Sequence, residues 1–236
     1  MDGYSIFVSQ LDLAIEKYPT FKIVGKGDKK FLRGELQIID RGNEYWESYQ
    51  LEIKHHPDFP YRFPKVYELS DKIPKIADWH INSDHSFCID IEPSEIIKCK
   101  NGLSLIDFID KELIPYLFNQ THRKEEGYYT GGEYSHGLRG VYEFYVDRLK
   151  TGDDIRKTLS LLVYIASKPR PNRSNRCFCG SGELFRHCHR EAYDELKLLG
   201  KNFLIDQVNI LYKWSGLQGM DQLRKIKPTS FMGKRN

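Results

Sequence analysis

The sequence has no apolar run long enough to cross a bilayer. The best candidate, LSLLVYIAS at 159–167, is interrupted by Ser160 and stops well short of the roughly 18 residues a spanning helix needs. The first residues, MDGYSIFVSQ, lack the basic start and apolar core of a secretory leader, so a soluble chain that engages no membrane is expected. Cysteine is too sparse for a disulfide framework. There are five, an odd number, and three of them crowd between residues 177 and 188, which points to a reducing, cytoplasmic setting. An excess of one charge is also missing: a net +3 over 29% charged residues does not announce nucleic acid, although KPRPNRSNR at 168–176 is a local basic run. No Gly-rich nucleotide-binding motif, internal repeat or low-complexity tract occurs.

What is present suffices for one domain of ordinary size and a smaller appendage, with a core that needs no covalent staples. Phe7, Leu11, Ala14 and Tyr18 recur at intervals of four, three and four, which predicts an amphipathic N-terminal helix stopped by Pro19. FKIVGK, FLRGELQII, WESYQLEIK and KVYEL then read as a meander of about four strands. Leu32, Leu36 and Ile38 share one face of their strand, and Tyr49, Leu51 and Ile53 share one face of theirs. Leu105, Ile109, Leu113 and Leu117 stand four apart and predict a helix with Pro115 near its end. GVYEFYVDRL and DDIRKTLSLLVYIAS predict two more, the second capped by Asp153. Residues 191–214 read as a helix pair. Apolar periodicity fails at 168–176, so the expected organisation is an α+β domain over 1–167, a basic linker over 168–176 and a tail over 177–236.

Within the tail, CFCGSGELFRHCH sets Cys177 and Cys179 one residue apart and Cys188 directly before His189. Thiolates and imidazole at this density suit tetrahedral zinc, and Gly180 and Gly182 permit the turn that lets them converge. His187 competes with His189 for the fourth position. The pattern resembles the SEC-C zinc motif, an accessory tail of bacterial proteins that include the SecA motor. The resemblance favours His189 and implies a structural zinc closed by four protein ligands.

A second cysteine, Cys88, lies in HINSDHSFCIDI, eight residues after His80 and two before Asp90. Taken alone, a free thiol is as readily a small buried hydrophobe. The approach to it changes that reading. Phe59, Pro60, Tyr61, Phe63, Pro64, Lys65 and Val66 follow the third strand, and Phe87, Cys88, Ile89, Asp90 and Ile91 surround the thiol. This resembles the proline-rich turn and nucleophile segment of ubiquitin-conjugating enzymes, with Phe63 in place of one proline. The family's His-Pro-Asn signature is replaced here by Asp78, Trp79 and His80. An Asn amide only donates to a developing oxyanion, whereas an imidazole donates or takes a proton. Bacterial ubiquitin-conjugating-like proteins resemble the chain in carrying that histidine and a segment similar to GGEYSHG, with Glu133 and His136.

The resemblance implies a ubiquitin-conjugating (UBC-like) fold followed by a zinc knuckle, with Cys88 as thioester-forming nucleophile, His80 as oxyanion donor or base, and Asp90 within reach of the thiol. It further implies transfer of a protein C-terminus to lysine amines of target proteins in bacterial antiviral (CBASS-type) operons. The modifier expected first is a cGAS-like nucleotidyltransferase conjugated through its own C-terminus. A separate ubiquitin-like modifier is the alternative, and a separate activating enzyme is a further candidate partner because the chain holds no activating domain. Two other classes stay open, a zinc-dependent nucleic-acid-binding protein using 168–176 and a non-catalytic scaffold. Cys99 is expected to be inert, and His55, His56, His85 and His122 structural or solvated.

Overall fold

Period-two alternation becomes a sheet. In the computed structural model, which describes residues 2–39, 42–130 and 134–217, β1 (Phe21–Val24), β2 (Phe31–Ile39), β3 (Tyr45–Lys54) and β4 (Lys65–Glu68) pair antiparallel in the order β1-β2-β3-β4. The two expected apolar faces are one inner face. Leu32 stands opposite Ile53 and Leu36 opposite Tyr49, and all four are buried. Gly34 lies between them, opposite Leu51, where a Cβ would come within 2.3 Å of the Thr20 carbonyl oxygen and 2.5 Å of the Phe21 Cα. Only glycine lets β1 start that close.

The helices that cover the sheet depart from expectation twice. The N-terminal helix is two, α1 (Gly3–Ser9) and α2 (Leu11–Lys17), which meet at Gln10. Gln10 turns its Oε1 onto the Leu105 N–H at 2.6 Å, so the residue that ends one helix caps another. Phe7, Leu11 and Ala14 still reach the core. After α3 (Glu92–Lys98), a helix the sequence did not suggest, the second departure follows. α4 (Leu105–Phe108) leads through a π turn at Ile109–Leu113 into α5 (Ile114–Glu126), which ends at a left-handed Gly127. The helix thus outruns Pro115, which sits in the first turn of α5 rather than near the C-terminal end of the helical run. A spacing of four overshoots the 3.6-residue turn by about 40° at each step. The wider π turn takes back part of that drift, and Leu105, Ile109, Leu113 and Leu117 are all fully buried. It also opens the ladder where Pro115 brings no N–H for the carbonyl four residues before it.

The chain divides into two compact units, Met1–His136 and Gly137–Asn236. This boundary precedes the one expected at 167. α6 (Leu138–Leu149) and α7 (Ile155–Ser167) belong with α8 (Arg190–Lys197) and α9 (Lys201–Trp214), because the apolar stripe of α7, with Leu159, Leu162 and Ile165, is buried in the second unit with Leu204 and Leu211 of α9. The cap of α7 is Asp154, not Asp153, accepting from the Lys157 N–H at 2.9 Å. The basic segment is held rather than free. The Lys168 carbonyl accepts from the Tyr193 hydroxyl at 2.8 Å, and the Arg170 guanidinium pairs with Asp194. Among the described residues, no helix is long and apolar enough to cross a membrane.

His55 meets Tyr4 and Phe7 edge-on, and among the described residues its Nε2 is buried without a hydrogen-bond partner. Burial holds its pKa below the ordinary value, and burial followed by the Arg62 charge does the same for His56. The unfolded chain therefore takes up protons near about pH 6.5 that the fold resists, so stability is lost as pH falls below that value. Thermal melts between pH 7.5 and 5 are expected to show Tm falling with acidification, and His55→Gln should start lower but fall less steeply.

Candidate functional sites

Beyond β4 the chain forms a small hairpin, with Ile81 bridged to Phe87 and Tyr67 bridged to Ser86. Asn82 builds its turn. The Asn82 N–H donates to the Ser86 carbonyl at 2.8 Å, and its Nδ2 donates to Ser86 Oγ at 3.1 Å and to the Phe87 carbonyl at 3.0 Å. At the open end the Cys88 N–H donates to the His80 carbonyl at 2.8 Å, so residues eight apart in sequence become backbone neighbours. The Phe87 N–H bonds the Val66 carbonyl of β4 and the Phe87 ring is buried, while Cys88, the next residue, is half-buried.

His80 adopts a left-handed backbone (φ 51°, ψ 45°), uncommon for a residue with a Cβ. One face of α5 grips this corner. The Tyr116 hydroxyl donates to the His80 carbonyl at 2.9 Å and Gln120 Nε2 to the Trp79 carbonyl at 3.1 Å, while Arg123 bonds the carbonyl and carboxylate of Asp78. The Arg123 guanidinium also lies over the Trp79 and Tyr129 rings, 4.6 and 4.7 Å from their centroids. Spacings of four and three put all three side chains on one helical stripe. The stripe is visible in the sequence, but its targets are main-chain carbonyls, which a sequence does not display. The His80 ring lies 4.4 Å from that of His136 and 5.2 Å from that of Tyr129, centroid to centroid. His136 is thus brought to the site, whereas Glu133 lies outside the described residues.

Asp90 is already engaged. Its Oδ1 accepts from the Ile91 N–H at 2.8 Å, and its Oδ2 accepts from Ser94 Oγ at 2.6 Å and Lys98 Nζ at 2.9 Å, so it anchors the start of α3. Its carboxylate thus serves the helix as well as standing near enough for its charge to act on the thiol. Glu95, one turn on, holds the proline-rich approach, accepting from Arg62 Nε at 3.0 Å, Arg62 Nη2 at 3.2 Å and the Phe63 N–H at 2.7 Å. Burial pushes the Cys88 thiol above its ordinary pKa, and the charges of Asp90 and Glu95 push it further. Cys99 is fully buried and pushed up to about 12, by burial first and then Glu95 and Glu112, in line with an inert thiol.

Cys88 alkylation by iodoacetamide should therefore be slow at pH 7 and accelerate only above the ordinary thiol range. Asp90→Asn keeps an oxygen at the start of α3 but removes a charge, so its profile should move to lower pH. A wild-type profile centred below the ordinary value would contradict this account.

In the second unit, the Cys177 N–H bonds the Glu183 carbonyl at 2.7 Å and the Phe185 N–H bonds the Asn175 carbonyl at 2.9 Å, closing a tight loop through Gly180 and Gly182 with φ of 80° and 82°. Phe178, between the first two cysteines, stacks on Tyr164 of α7 at 4.4 Å and 3°. Ligand atoms of Cys177, Cys179, Cys188 and His189 all lie within 4.8 Å of one another. Cys179 Sγ is 3.6 Å from Cys188 Sγ, and Cys177 Sγ is 3.4 Å from His189 Nδ1. A tetrahedron with Zn–S of about 2.3 Å and Zn–N of about 2.0 Å has edges of about 3.8 and 3.5 Å, so the donor set fits a metal ion of that kind. His189 Nε2 donates to the Leu149 carbonyl at 2.7 Å, which turns Nδ1 toward the thiols. His187 lies outside the cluster, its Nε2 accepting from Arg186 Nε at 2.9 Å. Residues 173–191 match the SEC-C motif. The match begins at Arg173, inside the segment expected to be a linker. No curated protein and no solved structure matches the chain.

Proposed function

We propose that the chain is a ubiquitin-conjugating-like acyltransferase in which Cys88 carries the C-terminus of a protein modifier as a thioester and passes it to a lysine amine. The bond from the Cys88 N–H to the His80 carbonyl carries this reading, since it sets a half-buried thiol and an imidazole-bearing residue on facing positions of one hairpin. The element order of N-terminal helices, four-stranded meander, cysteine hairpin and helices supports a UBC-like architecture for the first unit.

Loading forms a bond from Cys88 Sγ to the acyl carbon of an activated carboxyl, with loss of the thiol proton and of the activating group. A thiol held above its ordinary pKa is largely protonated near neutrality, so an acyl donor activated beforehand suits it. In transfer, the lysine nitrogen attacks the thioester carbonyl. The tetrahedral oxyanion collapses, the C–S bond breaks, Cys88 leaves as thiolate and the amine proton passes to a base, leaving an isopeptide bond. His80 serves as oxyanion donor or as that base. The Asn82 amide is committed to the hairpin turn, and His80, whose carbonyl pairs with the Cys88 N–H, is the imidazole we assign to the task. The modifier we favour is the C-terminus of a cGAS-like nucleotidyltransferase, with a separate ubiquitin-like protein as the alternative.

Cys177, Cys179, Cys188 and His189 would hold a structural zinc. Bound there, the ion supplies folding energy rather than reaction chemistry, because protein ligands fill all four positions.

Cys88→Ser is expected to abolish transfer and trap the modifier as a more stable oxyester. A Cys88→Ala protein that conjugates normally would end the reading. His80→Ala should still load but discharge onto lysine about 10²–10³ more slowly, and His80→Asn should recover most of that loss if donation to the oxyanion is the role. A His80 variant that blocks loading as severely as discharge would remove the assignment. For the knuckle, elemental analysis of protein purified without chelators should find one zinc per chain, lost in Cys177→Ser and Cys188→Ser; zinc-free wild type would refute the metal.

A further inference from the structure

His80 is the one residue of the hairpin mouth held in a conformation that its own side chain disfavours. Its carbonyl oxygen receives two donors, the Cys88 N–H at 2.8 Å and the Tyr116 hydroxyl at 2.9 Å. We propose that Tyr116 is a positioning residue of the transfer site, whose hydroxyl holds the His80 carbonyl so that the imidazole and the Cys88 thiol keep one fixed relation. The inference rests on the transfer reading for its effect on rate, but its geometric half stands on the hydrogen bonds alone.

Three observations support it. The Tyr116 ring packs on Phe87, the residue before Cys88, with centroids 4.7 Å apart, so the hydroxyl is delivered from a fixed platform. Tyr116 is buried, and burial raises its pKa well above the ordinary value, which keeps the hydroxyl a donor throughout the working range. Its neighbour on the helix face, Gln120, takes the preceding carbonyl of the same corner, so two successive peptide groups are held from one rigid element. A corner gripped in this way cannot relax toward extended backbone without losing buried hydrogen bonds.

The test is Tyr116→Phe, which deletes one oxygen and keeps the ring. Transfer should fall about tenfold, the size of one buried hydrogen bond, while thioester loading changes little and Tm drops by only the few degrees that one such bond is worth. The discriminating measurement is a double-mutant cycle. Asparagine adopts the left-handed backbone more readily than histidine, so in a His80→Asn background the same Tyr116→Phe change should cost less than about twofold in transfer. Equal losses in both backgrounds would mean a general structural role and overturn the proposal. Amide NMR separates it from the transfer reading. In Tyr116→Phe the Cys88 N–H should exchange faster and the His80 imidazole signals should move, whether or not any modifier is ever loaded. If they stay unchanged the positioning role fails. If they move while no thioester forms in wild type, the transfer reading fails and the positioning of this corner stands.

Discussion

One oxygen atom, the carbonyl of His80, ties the candidate site together. Through it the hairpin closes, because Cys88 donates to it, and through it the hairpin is moored to α5, because Tyr116 donates as well. Neither bond involves the imidazole. The main chain is thus fixed by neighbours on both sides, and the ring stands against those of Tyr129 and His136.

The opposite side of the thiol is built from charge. Asp90 anchors α3 and Glu95 clamps Arg62 and the Phe63 amide, so the proline-rich approach is docked through carboxylates rather than apolar contact alone. Burial first, and then both carboxylates, raise the pKa of the thiol above its ordinary value. A thiol held protonated is a poor target for adventitious electrophiles and oxidants.

What the sequence displays and what it hides differ in kind. The sheet is legible because burial on one face imposes alternation, and Leu32, Leu36, Ile38, Tyr49, Leu51 and Ile53 all follow it. The metal cluster is legible because its ligands are neighbours in sequence. The engagement of Asp90 with Ser94 and Lys98 is not legible in the same way, since closeness along the chain says nothing about which way a side chain turns. The prolines of 168–176 look like a linker, yet neighbouring backbone groups there pair with residues 183–186. The grip of Tyr116, Gln120 and Arg123 is hidden because its partners are peptide groups. The run of α5 past Pro115 is hidden because a proline after a π turn does not break what a proline inside a regular α-helix would.

That π turn places a constraint on evolutionary change. The turn at Ile109–Leu113 holds one residue more than a regular turn would, and every residue after it owes its direction to that extra one. Removing a single residue there would straighten the helix and rotate all of α5 by about 100°. The face that now meets Trp79 and His80 would swing toward another part of the molecule, and the buried side of the helix would turn with it. Lineages descending from this sequence should therefore tolerate almost no insertion or deletion between Leu105 and Arg123.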